Sequence, residues 1–563
     1  MKRPLLLMVV LCALVISAAG QNQPAALIPS HDPAREANTP QVGPNPSVNA
    51  PYVLVAWTEL GMHCIDGKDY SIFSVLPPFN VIHAQLIQKT EPPTLINASV
   101  RITYRAYMDS GGSIDTSSSN KTNFWNYVRT LFLNSVPPET GLAGYKTQSN
   151  MPPPMAFNAT EGYWEAVGIP TVNYDDHMNF KPFSMGQIVA TDLNGNQLAT
   201  ATVVLSVSDE MSCTVCHASN SDPNAKPASG WVNNANPAKD VKLNILRKHD
   251  DRWPISQYLT QLQANGYTYQ SKLYDTALSG TPILCAACHG DNALGLPGLS
   301  GINPLTNDMH TLHGAQILIS NGKTLDTNSA TSDLNSCYLC HPGPNTRCKR
   351  GAMNTQLCSA CHGNLTTVGI PGRTGWLDVP TCQMCHNNSL RYTTTFTSNG
   401  RWRQTTDRTF ATTPNVPING KSLYRYSSGH GTVFCSACHG SPHAEYPSLQ
   451  TNDNVYPTSL QGYVAKITEC TVCHSNLPVS ATGGPHGIHT LGQAWVDQGG
   501  HQDYVDNYGY QSCAYCHGVR FNGSFLSQSK VQRTFTLDDG QQKNFAAGHL
   551  FTCYDCHNGP NGG

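Results

Sequence analysis

Apolar and polar positions alternate most clearly between residues 51 and 208. YVLVAW (52–57), SVRITYRAY (99–107) and ATATVVLSVS (199–208) alternate or run through β-branched residues, which predicts strands. One helix is expected in KTNFWNYVRTLFL (121–133). These elements imply a β-rich, sandwich-like accessory domain over 51–208. Beyond residue 209 the periodicity fades, so that half is expected to be mostly irregular, with short helices. Ahead of the strands, residues 21–50 are rich in Pro, Asn and Ala without a period, as in a flexible leader. Residues 1–20 have a basic start, an apolar run from Leu5 to Ile16 and then small residues, which reads as a signal peptide cleaved after Ala19 or Gly20. That run is shorter than the roughly 20 apolar residues a membrane span needs, and no later stretch approaches it. Cys12 lies inside it and is expected to leave with it.

Composition supports an exported, loop-rich chain. Only 12% of the 563 residues are charged, against about 25% in ordinary proteins. A net charge of -2 offers no footprint for nucleic acid.

The cysteines change the picture. Of 21, eighteen fall into nine copies of Cys-x-x-Cys-His. The pairs are Cys213 and Cys216, Cys285 and Cys288, Cys337 and Cys340, Cys358 and Cys361, Cys382 and Cys385, Cys435 and Cys438, Cys470 and Cys473, Cys513 and Cys516, and Cys553 and Cys556. The histidines that follow are His217, His289, His341, His362, His386, His439, His474, His517 and His557. This spacing is the attachment signature of c-type haem. Thiols at i and i+3 project from one side of a helical turn and can form thioethers along one porphyrin edge. The adjacent imidazole then lies beneath the ring as the proximal iron ligand. Structural zinc would pair one Cys-x-x-Cys with another, disulfides need no histidine, and a thioredoxin-like site needs one motif rather than nine. Nine haem c groups are the expected cofactors.

Thirteen histidines lie outside the motifs. Nine of them share the haem-bearing region: His249, His310, His313, His430, His443, His486, His489, His501 and His549. One distal imidazole per iron is the economical assignment, since no methionine recurs in register with the motifs. His443 is four residues from His439, so the two cannot occupy opposite faces of one iron. His443 must therefore serve a neighbouring haem. The close pairs His310/His313 and His486/His489 likewise serve two haems each, which stitches the haems together.

Residues 209–400 form a first haem module (haems 1–5) and 401–563 a second (haems 6–9). The motifs starting at 337, 358 and 382 are closest and predict a compact cluster. Little room remains for an ordinary side-chain core, so the porphyrins are expected to supply buried apolar surface. Two cysteines are left over, Cys64 and Cys348; in an oxidising compartment they suggest a disulfide tying the β-rich domain to the haem cluster, with two free thiols as the alternative. A copper site at Met62, His63, Cys64 and His83 lacks the further ligands it would need. His63 and His177 remain able to cap a haem that lacks its expected partner.

LGMHCIDGKDYSIFSVLPPFN, SDEMSCTVCHAS, CYLCHPGPNTRCKRGAM, CSACHGSPHAEYP and GPHGIHTLGQAWV together resemble the large exported multihaem c-type cytochromes of metal-respiring and related bacteria. The resemblance covers most of the chain after residue 50. It implies bis-histidine haems passing electrons from the periplasm or cell surface to other redox proteins or an extracellular acceptor. Some relatives polymerise into haem filaments, so a homopolymer is a further implied state. A multihaem reductase of nitrite, hydroxylamine or a sulfur oxyanion is the competing expectation, and would need one five-coordinate haem. The β-rich domain is expected to act as a scaffold or as a docking surface. No enzymatic residue is singled out.

Overall fold

The computed structural model describes residues 50–210, 213–316, 322–371, 430–475, 492–497, 500–508, 510, 513, 517, 520–523, 527–529 and 532–559. The expectations for the signal and leader, and for Cys382, Cys385, His386, His486, His489 and Cys516, lie outside the described residues.

The first region is built from strands β1 (Tyr52–Thr58), β2 (His63–Cys64), β3 (Phe73–Ser74), β4 (Asn80–Gln88), β5 (Thr94–Ile96), β6 (Val100–Tyr107), β7 (Ala156–Asn158), β8 (Tyr163–Ile169), β9 (Phe183–Asp192) and β10 (Gln197–Ser208). One sheet runs β1-β4-β8-β7 with β5 also on β4; the other runs β2-β10-β9-β6. Neighbours are antiparallel except β2, which lies parallel to β10. In β6, Ile102, Tyr104 and Ala106 point inward while Arg101 and Arg105 face solvent, the two-residue period of a half-buried strand. Leu54, Ile82, Leu86, Ile102, Tyr104, Ile188 and Leu205 share one core between the sheets. The expected helix forms as α1 (Phe124–Phe132), burying Phe124, Val128 and Leu131 on one face.

β1 departs from alternation: every residue from Val53 to Thr58 is buried. Both its faces are covered, because the motif-bearing half closes over it. Phe434 stacks on Trp57 with centroids 5.4 Å apart and meets Tyr163 edge-on at 5.0 Å. Gln85 holds the same segment, donating to the Thr432 carbonyl and accepting from the Phe434 N–H, both at 3.2 Å. The Tyr456 hydroxyl donates to the Leu54 carbonyl. Phe434, Ala437, Tyr456, Leu460 and Val472 belong to the sandwich core itself. Burying a ring such as Phe434 contributes roughly 1.5–3 kcal/mol.

A second seam is polar. Arg350 is 1% exposed. Its Nε and Nη2 grip Asp453 at 2.7 and 2.9 Å, its Nη1 donates to the Gly61 carbonyl, and its guanidinium lies 4.7 Å from the Phe183 ring. Asp453 lies in the helix Thr451–Gln461 and Gly61 precedes β2, so one side chain joins the sandwich to two later segments. A third seam is the short strand β11 (Ile283–Leu284), parallel to β3 and leading directly into Cys285.

The later region is sparse in regular structure. Its longer helices are α2 (Pro237–Arg252), α3 (Leu305–Gln316), α4 (Thr451–Gln461) and α5 (His501–Tyr508). Asn236 caps α2 by accepting from the N–H groups of Ala238 and Lys239, with Pro237 at the first position. Leu243 and Leu246 of α2 join Tyr70, Phe73, Phe124 and Leu131 in a second core under the Cys285 turn. A hairpin, β12 (Arg533–Thr536) and β13 (Gln542–Phe545), lies near the C-terminus.

Arg350→Ala should destabilise the fold by about 3–5 kcal/mol, because it leaves Asp453 buried and unpaired. Arg350→Lys should recover only part of this, since an ammonium cannot make the two-pronged contact. Denaturant midpoints of the full-length variants read the effect.

Candidate haem sites

Each described motif folds as one short helical turn, at 214–217, 285–287, 337–339, 358–362, 435–439, 470–472 and 553–555. The N–H of the motif histidine donates to the first cysteine's carbonyl in His217 (2.8 Å), His289 (3.0 Å), His341 (2.8 Å) and His474 (2.9 Å). That bond closes the turn and sets both sulfurs and the imidazole as one rigid unit.

The imidazoles meet in pairs. Ring centroids lie 6.5 Å apart for His249 and His289, and 6.0 Å for His310 and His341. They lie 6.0 Å apart for His362 and His443, 5.8 Å for His430 and His474, and 6.0 Å for His501 and His557. His217 lies within electrostatic reach of His313, which helps to lower its proton affinity. A first-row metal binds an imidazole nitrogen at about 2.0–2.1 Å, so two axial rings on one metal have centroids roughly 6 Å apart. The observed gaps fit one iron between each pair. His310 and His313 thus approach two different motifs, and His443 approaches His362 rather than its sequence neighbour His439.

In several of these rings the other nitrogen, Nδ1, is held by an acceptor. His310, His313, His501 and His517 point Nδ1 at the backbone carbonyls of Thr306 (2.6 Å), Met309 (2.8 Å), Trp495 (3.1 Å) and Phe551 (2.9 Å). His289 Nδ1 lies 3.1 Å from the Asn303 carbonyl and 3.2 Å from Asp308 Oδ2. His474 Nδ1 lies 3.2 Å from Glu91 Oε2. An Nδ1–H held by an acceptor fixes the tautomer that presents Nε2 as a ligand. Burial also keeps several rings neutral, the ligating form: desolvation lowers His217, His249 and His443 to about 4. Nearby His313 reinforces this at His217, His289 at His249, and Lys349 and Arg350 at His443.

His443 sits in the left-handed region, at φ 67°, at a cost on the order of 1–3 kcal/mol. The N–H groups of Arg350 and Gly351 both donate to its carbonyl, at 2.8 and 2.6 Å, and hold it there.

The Nε2 of His549 lies 3.0 Å from Asp555 Oδ2, and its ring packs against Phe545 and Phe551 at 4.7 and 5.2 Å. No ring contact pairs it with a motif histidine among the described residues. The expected Cys64–Cys348 disulfide is not formed; both are free thiols. They are electrostatic neighbours, and Cys348 Sγ turns to within 3.8 Å of His443 Nδ1. Burial pushes the Cys64 thiol up to about 12 and the Cys348 thiol up to about 11.

Neighbouring attachment turns approach closely. Sulfurs of Cys337 and Cys358 lie with an Asp333 oxygen in a group whose atoms are all within 4.8 Å of one another. Cys340 feels Cys213 and Cys216, and Cys473 feels Cys438. The first turn thus neighbours the third, the third the fourth, and the sixth the seventh. His63 and His83 are buried in the sandwich, His63 edge-on to Phe79 at 4.7 Å and His83 to Tyr163 at 4.5 Å; His177 is exposed. The acceptors Glu91 and Asp308 went unnoticed in the sequence. Asp308 lies two residues before His310, a weak local signal, whereas nothing near Glu91 points to a motif 383 positions away.

Residues 350–560 match the family model described as outer membrane cytochrome MtrC/MtrF-like, domains II/IV. This part of the chain is similar to extracellular electron-transfer multihaem cytochromes of metal-respiring bacteria, and it holds six of the nine motifs. Cytochromes of that kind carry c-type haem and lie at the cell surface. No curated protein and no solved structure matches the chain. No helix among the described residues is long and apolar enough to cross a membrane.

The folded protein should resist iodoacetamide near neutral pH, because thiolate at Cys64 and Cys348 is suppressed by burial. After denaturation without reductant, the haem-loaded mature chain should take up two equivalents by mass. Uptake only after reduction would restore the disulfide.

Proposed function

We propose that the chain is an electron conduit carrying nine haem c groups, each held between two imidazoles, outside the cytoplasmic membrane. Bound there, haem supplies a one-electron carrier whose potential follows its axial ligands and surroundings. The observation that carries the reading is the recurrent gap of about 6 Å between paired imidazole rings. Each such pair would hold one iron from two sides, so these residues would bind and orient the cofactor and leave no coordination site for a substrate. The close approach of successive attachment turns supports transfer from one haem to the next.

The proximal ligands are the nine motif histidines. The distal ligands are His313 for the first, His249 for the second, His310 for the third, His443 for the fourth, His430 for the seventh and His501 for the ninth. His486 and His489 remain for two of the other three. His549, engaged with Asp555, yields the last place to His63, fully buried beside Cys64 at the seam where Cys348 meets His443. Electrons would pass to other redox proteins or an extracellular acceptor. Assembly into a filament would need haems exposed at two ends of the chain.

Ring geometry gives a spectroscopic test. His249 and His289 cross at 87°, whereas His310/His341 and His501/His557 lie at 15° and 1°. Perpendicular ligand planes leave two iron d orbitals nearly degenerate; parallel planes split them. Oxidised wild type should therefore show only low-spin iron in EPR, with both strongly anisotropic and rhombic signals. His501→Ala and His63→Ala should each convert one iron in nine to high spin, and His549→Ala none. High-spin iron in wild type, or uptake of cyanide or nitrite, would favour a reductase instead.

A further inference from the structure

The second nitrogen of the described imidazoles meets several kinds of environment. Five rings reach a backbone carbonyl, and His443 turns Nδ1 to the Cys348 sulfur. The Nδ1 atoms of His217, His249 and His557 are buried without a hydrogen-bond partner. His474 is hydrogen-bonded to a carboxylate. That carboxylate comes from the haem-free sandwich: Glu91, between β4 and β5, places Oε2 and Oε1 at 3.2 and 3.3 Å from His474 Nδ1.

A carboxylate accepting an Nδ1–H draws the proton toward itself and makes the imidazole a stronger donor through Nε2. A stronger donor stabilises ferric over ferrous iron, so the reduction potential falls. A carbonyl does this less, and an unpartnered Nδ1 not at all. We propose that Glu91 is a potential-setting residue of the sandwich, lowering the potential of the haem attached at Cys470 and Cys473. The change is one electron at the iron, with no bond to the imidazole broken. This rests on the bis-imidazole reading above and gives the sandwich a role beyond shielding or docking. The Glu91 side chain is 47% exposed. Through-space charge at such positions is screened by salt, so the direct hydrogen bond carries the effect.

The test is a spectroelectrochemical titration of the full-length haem-loaded protein at one pH, in low and high salt. Glu91→Gln keeps the shape and removes the charge. It should move about one-ninth of the haem absorbance from the low-potential side of the envelope to higher potential, at both salt concentrations. Asp192→Asn, an exposed carboxylate at the β9–β10 turn, should move none. A Glu91→Gln titration that overlays wild type, or a shift that vanishes in high salt, would overturn the proposal. So would loss of a haem in Glu91→Gln, which would make Glu91 a structural residue. Failure of the parent reading would appear in wild type itself, as fewer than nine haems or as high-spin iron.

Discussion

On the proposed reading, two imidazoles that share an iron must stand about 6 Å apart with their Nε2 atoms facing, and this demand would organise the later half of the chain. A motif histidine arrives already fixed by its own turn. Its counterpart must be delivered by another segment, and that segment needs anchoring. α3 supplies His310 and His313, its backbone carbonyls holding both Nδ1 atoms. His443 is kept in a strained backbone conformation by donors from Arg350 and Gly351. A core built chiefly of side chains could tolerate small displacements; an axial ligand cannot.

The sandwich is no appendage. Phe434 and Tyr456 insert beside β1, while Arg350 locks α4 and the Gly61 carbonyl into one buried network. Residues 430–475 complete the sandwich, and the sandwich reaches back through Glu91 to the imidazole of His474.

Electrostatics follows from this arrangement. The chain carries few charges, and several of those it buries are paired, as Arg350 is with Asp453. Buried imidazoles stay neutral, the form able to bind a metal. The Glu91 carboxylate that bonds an Nδ1 atom stands at the rim, so it places no isolated charge in the interior.

The sequence by itself determined everything set by local spacing. The motif turns seen among the described residues are legible because i and i+3 thiols and the following histidine belong to one helical turn, and the strands of the sandwich because side-chain direction alternates within a few residues. The distal partners were legible only as a pool. His501 and His549 look alike as isolated histidines, yet one faces His557 and the other bonds Asp555. The pairings, the free thiols at Cys64 and Cys348, the closure over β1 and the contact from Glu91 all depend on segments far apart in the chain. Those were decided by tertiary structure, because only packing brings such groups within bonding distance.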